Sequence, residues 1–142
     1  MTKNIISLGV GCGVGVYLKK FNIRQEAYPF DSLWCKNLTN LKHILSTDFH
    51  TLMNQSDHIK INKTDPNRIH HKYYDNLNDS FNATFAHHNI LDPTVYESFN
   101  RRIHRFRKLK HTKNIFITFV LQIDQPQTNK MIQTDQMIQT YK

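Results

Sequence analysis

The sequence predicts one mixed α/β (α+β) domain with a mainly antiparallel sheet, and three features of the 142-residue chain carry this prediction. The first feature is a short strand, a glycine-rich turn and a helix near the N-terminus. The second is a set of alternating segments in the middle of the chain, and the third is a long amphipathic helix followed by an apolar strand. A chain of this length can bury one core. We assign that core to residues 1–121 and a polar tail to residues 122–142.

The composition excludes several classes of protein. Hydrophobic residues at 39% and charged residues at 21% are typical of a folded domain rather than a disordered polyelectrolyte. We expect a cytoplasmic protein without membrane contact, because neither a membrane-spanning apolar run nor a signal peptide is recognisable. Two cysteines are too few for a disulfide framework. The formal net charge of +8 is compatible with an anionic partner, but a charged run such as Arg101 to Lys113 is more often the solvated face of a helix.

The first unit combines β-branched residues with all four glycines of the chain. Residues Asn4 to Leu8 predict a buried strand, and apolar residues at helical spacing predict a helix that ends near Asn22. The intervening segment GVGCGVG exposes backbone N–H groups and could hold an anion. The spacing of its glycines fits neither the dinucleotide fingerprint nor the phosphate loop of nucleotide hydrolases.

The following segments predict packing elements and then a meander. Pro29 favours a turn or a short extended piece, and Asn37 or Thr39 can cap a helix over residues 38–45. Asp48 can cap a second helical turn. Alternation in the segments HIKIN, RIHHKYY and FNATF then predicts antiparallel strands separated by Asn and Asp turns.

The last segments predict the longest helix and a buried strand. Asp92 and Pro93 start a helix whose apolar positions advance by three or four residues. These apolar positions are Tyr96, Phe99, Ile103, Phe106 and Leu109. Arg101, Arg102 and Arg105 lie on its other faces, and the apolar run Asn114 to Leu121 predicts the final strand.

The cysteine in the glycine turn is the most chemically informative residue. A thiol at the first turn of a helix lies at the positive end of the helix dipole, which favours the thiolate form. Cys12 is therefore a candidate nucleophile, although a small buried residue between glycines explains it equally well. Cys35 has no such turn and is interpreted as a core residue. A thiol nucleophile needs a base, and His87 and His88 follow a predicted strand.

Paired histidines could also indicate zinc, but adjacent residues on a strand face opposite sides of the sheet. Each of the pairs His70-His71 and His87-His88 thus offers one ligand per face. No thiolate or carboxylate cluster accompanies them, so no metal or other cofactor is expected.

The segment ISLGVGCGVGVYLKKFNIRQEAYPFDSLW resembles the opening of a family described as papain-like cysteine peptidases, whose activity is itself inferred. Members begin with Ser-Leu-Gly, two residues and Cys, here Ser7 to Cys12, and continue to Pro-Phe-Asp, here Pro29 to Asp31. Further similarity extends through LKHILSTDFHTLM, a Phe-x-His element at Phe85 to His87, and YESFNRRIHRFRKL with the strand NIFITFV. The resemblance spans roughly residues 5–121. Trp34 stands three residues after Asp31, whereas the family has its Trp directly after the Asp.

The resemblance implies a papain-like fold in which Cys12 is the nucleophile and His87 the base. His88 replaces His87 if the strand register shifts by one residue. A third residue orients the imidazole in such sites, and Asp31 is the first candidate because it lies in the family motif. Asn114 and Asp124 are the alternatives.

Three functions compete at this stage. The first is a thiol hydrolase, such as a cysteine peptidase or acyl transferase, acting on a peptide or other acyl substrate. The second is a basic module that binds nucleic acid, phosphate or acidic glycans through Arg101, Arg102 and Arg105. The third is an inactive relative that keeps the fold without its chemistry.

Overall fold

The computed structural model describes residues 4–9 and 11–118. In chain order, the helices and strands of this part are β1 (Asn4–Ser7), α1 (Gly13–Lys20), α2 (Leu38–Ser46), β2 (His58–Ile59), β3 (His70–His71), α3 (Pro93–Lys108) and β4 (Asn114–Ile117). Single turns of 3-10 helix lie at Pro29–Asp31, Gln55–Asp57 and Leu109–His111. The fold is thus a mixture of helices and small sheets, consistent with an α+β protein.

Helix α2 follows from its capping residue and its apolar spacing. The side chain of Asn37 accepts a hydrogen bond from the backbone N–H of Asn40 at 2.8 Å. Leu41 and Ile44 bury one face of the helix. The predicted turn after Asp48 is present as one bond from the N–H of Met53 to the carbonyl of Phe49 at 3.0 Å. It does not extend into a helix, because Asp48 and Phe49 adopt left-handed backbone conformations with φ of 48° and 64°. That segment is a series of turns instead.

Helix α3 begins at the cap that the sequence suggests. The Asp92 carboxylate accepts from the N–H of Thr94 at 2.8 Å, and Pro93 occupies the first helical position, where no N–H is needed. Phe99 and Ile103 are buried against the main core. That core consists of Phe30, Leu33, Cys35, Leu41, Ile44, Phe49, Leu52, Ile69, Tyr74, Phe85, Ile90, Phe99 and Ile103.

The expectation of a mainly antiparallel sheet is wrong for the described residues. Strands β1 and β4 pair in parallel, with Asn4 opposite Asn114 and Ser7 opposite Ile117. A parallel pair requires a crossover connection rather than a hairpin, and here nearly the whole described chain supplies it. Local alternation within each strand does not reveal the direction of its partner.

The predicted antiparallel meander is reduced to two-residue strands. Strands β2 and β3 pair His58 with His71, and one isolated bridge joins Ile69 to Phe85. In the residues before this bridge, a side chain takes the place of a partner strand as hydrogen-bond acceptor. The Asp79 carboxylate accepts from the backbone N–H groups of Phe81 and Asn82. Local side-chain acceptors thus compete with strand pairing in this Asn- and Asp-rich region.

Within the described residues, the last strand ends at Ile117 and is more exposed than predicted. In that part of the chain its one neighbouring strand is β1, and Ile115 and Phe116 are 41% and 39% exposed. Residues 119–121 of the predicted strand and the predicted tail at residues 122–142 lie outside the described residues.

Candidate active site

Cys12 lies at the N-cap of α1, as the sequence suggests. The residue is half-buried, its thiol is free, and its carbonyl accepts the first intrahelical bond from the N–H of Val16 at 3.1 Å. Its side chain makes no capping bond, and the first turn carries no acidic residue. The first N–H groups of α1 have no carbonyl partner within the helix, so they can bind an oxygen anion beside the thiol.

The glycines around Cys12 serve close packing rather than unusual dihedral angles, since none of the four has a positive φ. A Cβ atom at Gly15 would lie 2.5 Å from the carbonyl oxygen of Asp31. A Cβ atom at Gly9 would overlap the carbonyl oxygen of Gly11. Gly11 and Gly13 have open space instead. Two of the glycines therefore hold the turn and α1 against neighbouring backbone, while Gly11 and Gly13, which flank Cys12, border open space.

Asp31 lies directly behind α1 and is almost fully buried, with 4% exposure. Its Oδ2 accepts from the backbone N–H of Tyr28 at 2.9 Å and from Arg24 at 3.1 Å. Its Oδ1 is buried and has no partner among the described residues. Burial raises the pKa of Asp31, against the opposing effects of the Tyr28 N–H and the Arg24 guanidinium. Asp31 therefore caps its own 3-10 turn and keeps one carboxylate oxygen free.

The two candidate bases lie in the loop before α3 and not on a strand, which corrects the prediction. Strand pairing in this segment is limited to the single bridge between Ile69 and Phe85, and the residues that follow form bends and irregular backbone. His87 is exposed. His88 is half-buried, with its ring 5.9 Å from the Phe99 ring in an edge-to-face arrangement. Burial lowers the pKa of His88, and the charges of Arg102 and His87 lower it further.

Arg102 connects the Asp31 turn with His88, and the sequence analysis missed this role. Its guanidinium donates to the Ser32 hydroxyl at 2.8 Å and lies 5.1 Å from the centre of the Phe99 ring. The sequence signal was present but ambiguous, because Arg102 stands one position from the apolar residue Ile103 within a basic run. Helical spacing alone does not show that an arginine turns inward.

The structure brings some of the predicted site residues near one another through shared neighbours. Gly15, one turn after Cys12, contacts the Asp31 backbone, and Arg102 joins the residue after Asp31 to the surroundings of His88. Among residues 4–9 and 11–118, no hydrogen bond links the side chains of Cys12, His87 and Asp31.

The alternative third residues lie elsewhere. Asn114 stabilises the start of β4, where its amide donates to the carbonyls of Leu109 and Thr112. Asp124 lies outside the described residues. Of the two candidates within the described residues, Asp31 is the one that lies against α1.

The paired histidines of β3 bind backbone carbonyls. The His70 Nε2–H donates to the carbonyl of Asp79 at 2.8 Å, and the His71 Nε2–H donates to that of Thr51 at 2.9 Å. The described part of the chain contains no group of three or more potential ligands placed to share a metal ion. Cys35 lies in the core, and burial raises the pKa of its thiol to about 12.

We expect acid to destabilise the fold through two buried histidines. Burial lowers the pKa values of His58 and His71, and the His71 Nδ1 accepts from the N–H of Tyr73 and must stay unprotonated. In the unfolded chain these two histidines bind protons near pH 6.5, whereas in the folded protein they remain neutral to lower pH. The free energy of unfolding therefore decreases as the pH falls through about 6.5. Urea midpoints at pH 7.5 and pH 5 measure the effect.

The double variant His58→Gln/His71→Gln should lose less stability between pH 7.5 and pH 5 than the wild type does. His111→Gln, an exposed position, should behave like the wild type. The same loss in the wild type and in both variants would contradict the assignment.

Two of the three arginines proposed for anion binding contact the protein itself. Arg102 binds Ser32, and Arg105 donates two hydrogen bonds to the carbonyl of Ala27, at 2.8 and 3.1 Å. Arg101 is exposed. The face that the sequence analysis took as one basic surface is therefore divided between internal contacts and solvent.

The fold is mixed α+β, and a free cysteine lies at the N-terminus of α1. A model of the family described as "Putative papain-like cysteine peptidase" matches residues 3–141, and the chain belongs to this family. At the level of the family, this description indicates a hydrolase. The expected membership is thereby confirmed.

The other comparisons are narrower. A 44-residue segment is 39% identical to "Uncharacterized protein R408" of Acanthamoeba polyphaga mimivirus. The segment is 31% of this chain and 20% of the viral protein, so the chain aligns with about a fifth of that relative's length. No solved structure matches the chain. In the described residues, no helix combines the length and the apolar character needed to cross a membrane.

Proposed function

We propose that the protein is a thiol hydrolase, a cysteine peptidase or acyl transferase, with Cys12 as its nucleophile. The observation that carries the proposal is the half-buried, uncapped Cys12 at the N-terminus of α1, in a chain that belongs to the papain-like family. A thiolate is stabilised at such a position, and unpaired N–H groups lie beside it. The environment of Cys35, buried and resistant to ionisation, makes it unsuitable for the same role.

The reaction follows from these groups. A histidine removes the proton from the Cys12 thiol, and the sulfur adds to the carbonyl carbon of the substrate. The N–H groups at the start of α1 donate to the resulting oxyanion. The imidazolium returns its proton to the leaving amine or alcohol as the C–N or C–O bond breaks. Water, or another acceptor in a transferase, then releases the acyl group from sulfur with the histidine again as the base.

The base is assigned to the His87-His88 pair. His87 holds the position implied by the family motif, and it is exposed. His88 is more enclosed, and burial and the charge of Arg102 lower its pKa, which weakens it as a proton acceptor. His87 is therefore proposed as the base, and variants of both residues test this choice.

Asp31 is proposed as the residue that orients this imidazole. Its Oδ1 is buried without a partner, and an unpaired buried acceptor is unfavourable by about 1 to 3 kcal/mol. An imidazole N–H could satisfy that oxygen, while Oδ2 keeps its bonds to Tyr28 and Arg24.

Alkylation of the two cysteines tests the proposal without a known substrate. We expect iodoacetamide at pH 6.5 to modify Cys12 at least about 10-fold faster than it modifies glutathione, because a neighbouring base and the free N–H groups of α1 would activate the sulfur. Cys35 should remain unmodified in the folded protein. Peptide mapping by mass spectrometry reads each cysteine separately.

Histidine variants identify the base. Replacing the base by alanine should lower the Cys12 rate about 10-fold or more and shift its pH profile, whereas replacing the neighbouring histidine should change neither. His104→Ala, an exposed position on α3, is the matched control. A Cys12 that reacts no faster than glutathione in the wild type would exclude the activated nucleophile and favour an inactive relative.

A further inference from the structure

Asp31 contacts both the third residue of α1 and the segment that follows this helix. A Cβ atom at Gly15 would lie 2.5 Å from the Asp31 carbonyl oxygen, and the Nη1 of Arg24 donates to Asp31 Oδ2 at 3.1 Å. The helix begins immediately after Cys12. Arg24 therefore links the carboxylate of the candidate site to the element that carries the candidate nucleophile.

The end of α1 fixes the position of the Arg24 backbone. Asn22 has a left-handed conformation with φ of 54°, which asparagine adopts more readily than most residues with a side chain. The N–H groups of Ile23 and Arg24 both donate to the carbonyl of Leu18, at 3.0 and 3.1 Å. The main chain of Arg24 is thus tied to the last turns of α1.

The ion pair between Arg24 and Asp31 is largely buried. The two side chains are 22% and 1% exposed. Asp31 Oδ2 also accepts from the N–H of Tyr28, whereas Oδ1 has no partner among the described residues. Burial raises the pKa of Asp31, and the Tyr28 N–H and the Arg24 charge oppose this effect. Arg24 is therefore the cation in direct contact with a carboxylate that burial would otherwise protonate.

The other groups around Asp31 do not replace Arg24. The charge of Arg102 on α3 also lowers the pKa of Asp31, but its guanidinium bonds to the Ser32 hydroxyl and, among the described contacts, makes no ion pair with Asp31. The Tyr28 phenol is neutral, because burial raises its pKa above the ordinary value. Loss of the Arg24 charge should therefore raise the pKa of Asp31 further.

We propose that Arg24 is a positioning residue for the proposed reaction: its guanidinium keeps the Asp31 carboxylate ionised and occupies Oδ2, so that Oδ1 remains the acceptor for the imidazole of the base. The inference rests on the proposed function. Arg24 acts through Asp31 and not on the reacting atoms. An ionised carboxylate stabilises the imidazolium that forms when Cys12 loses its proton, and a neutral carboxyl group does so far less.

The pH dependence of Cys12 alkylation separates this role from a structural one. In Arg24→Gln, we expect the iodoacetamide rate to be within about 2-fold of the wild type at pH 8 and at least about 3-fold lower at pH 5.5, where Asp31 becomes neutral. Asp31→Asn should be slow at both pH values, and Arg24→Lys should restore the wild-type profile. The same loss at both pH values in Arg24→Gln would indicate a structural role and overturn the proposal.

Urea denaturation tests the ion pair independently of Cys12. Arg24→Gln should lower the urea midpoint at least about 2-fold more at pH 8 than at pH 5.5, because the unpaired buried carboxylate is charged at pH 8 and gains a proton as the pH falls. Arg107→Gln is the matched control, since it removes an arginine from the exposed ion pair with Asp48. Its small effect should be the same at both pH values.

The outcomes distinguish this inference from the proposed function. A wild-type Cys12 no more reactive than glutathione would overturn the proposed function and, with it, the role of Arg24 in the reaction. An activated Cys12 with an unchanged pH profile in Arg24→Gln would overturn the role of Arg24 alone. Equal urea losses at both pH values would show that Arg24 does not keep Asp31 ionised. Thermal melts of each variant establish that it is folded.

Discussion

Replacing Gly15 by alanine is expected to destabilise the protein by about 2 to 3 kcal/mol, although alanine normally stabilises a helix relative to glycine by about 1 kcal/mol. The new Cβ would lie 2.5 Å from the Asp31 carbonyl oxygen and 2.6 Å from its Cα. Both are backbone atoms of a buried turn and cannot rotate away. Helix α1 must therefore move away from Asp31, and Cys12 moves with it. Urea denaturation measures the loss of stability.

Gly13→Ala is the matched control, since its Cβ would meet nothing within 4 Å in the same helix. It should be neutral or stabilising by up to about 1 kcal/mol. The alkylation rate of Cys12 should fall in Gly15→Ala and be retained in Gly13→Ala. If the two variants had the same stability, the close contact between α1 and the Asp31 backbone would be wrong.

The second large effect is expected for Asp75→Asn, which should lower the free energy of unfolding by about 3 kcal/mol or more. The Asp75 side chain is fully buried. Its Oδ2 accepts from the backbone N–H groups of His71 and Thr84, each at 2.8 Å. Its Oδ1 accepts from the Thr84 hydroxyl at 2.8 Å and pairs with Lys36 at 3.0 Å. In asparagine an NH₂ group replaces one of the two carboxylate oxygens and cannot accept the bonds made to that oxygen. Lys36 would also lose its negatively charged partner.

Asp48→Asn provides the comparison. It removes the same charge from an ion pair with Arg107 in which the two side chains are 61% and 47% exposed. The expected loss there is below about 1 kcal/mol, because water screens an exposed pair. Urea midpoints of the two variants give the difference, and similar losses at both positions would show that Asp75 does not organise the surrounding loops.

The helices and their caps could be predicted because their signals are local. The Asn37 and Asp92 side chains bond to N–H groups two or three residues away, so capping residues and apolar spacing suffice to place α2 and α3. The strands could not be placed in the same way. The partner of β1 lies more than 100 residues away and runs parallel, and Asp79 takes N–H groups that alternation had assigned to a sheet.

The candidate site shows the same difference between features set by local sequence and features set by packing. The motif and the glycine turn placed Cys12 at a helix N-terminus, and this depends on neighbouring residues only. The surroundings of His88 depend on Arg102, whose inward orientation toward Ser32 is set by packing between α3 and the Asp31 turn. Nothing in a basic helical run distinguishes that arginine from Arg101, which faces solvent.

By itself, the sequence determined the family, the position of Cys12, the starts of α2 and α3, and the excess of positive charge. Only the tertiary structure decided which glycines are required, because Gly15 is recognisable through its contact with Asp31 and not through its own conformation. It also decided that the β3 histidines bind backbone carbonyls and that Arg102 and Arg105 make contacts within the protein. The reason is physical: caps and helical periodicity act within one turn, whereas burial, close backbone contact and charge pairing arise between segments that the chain brings together only on folding.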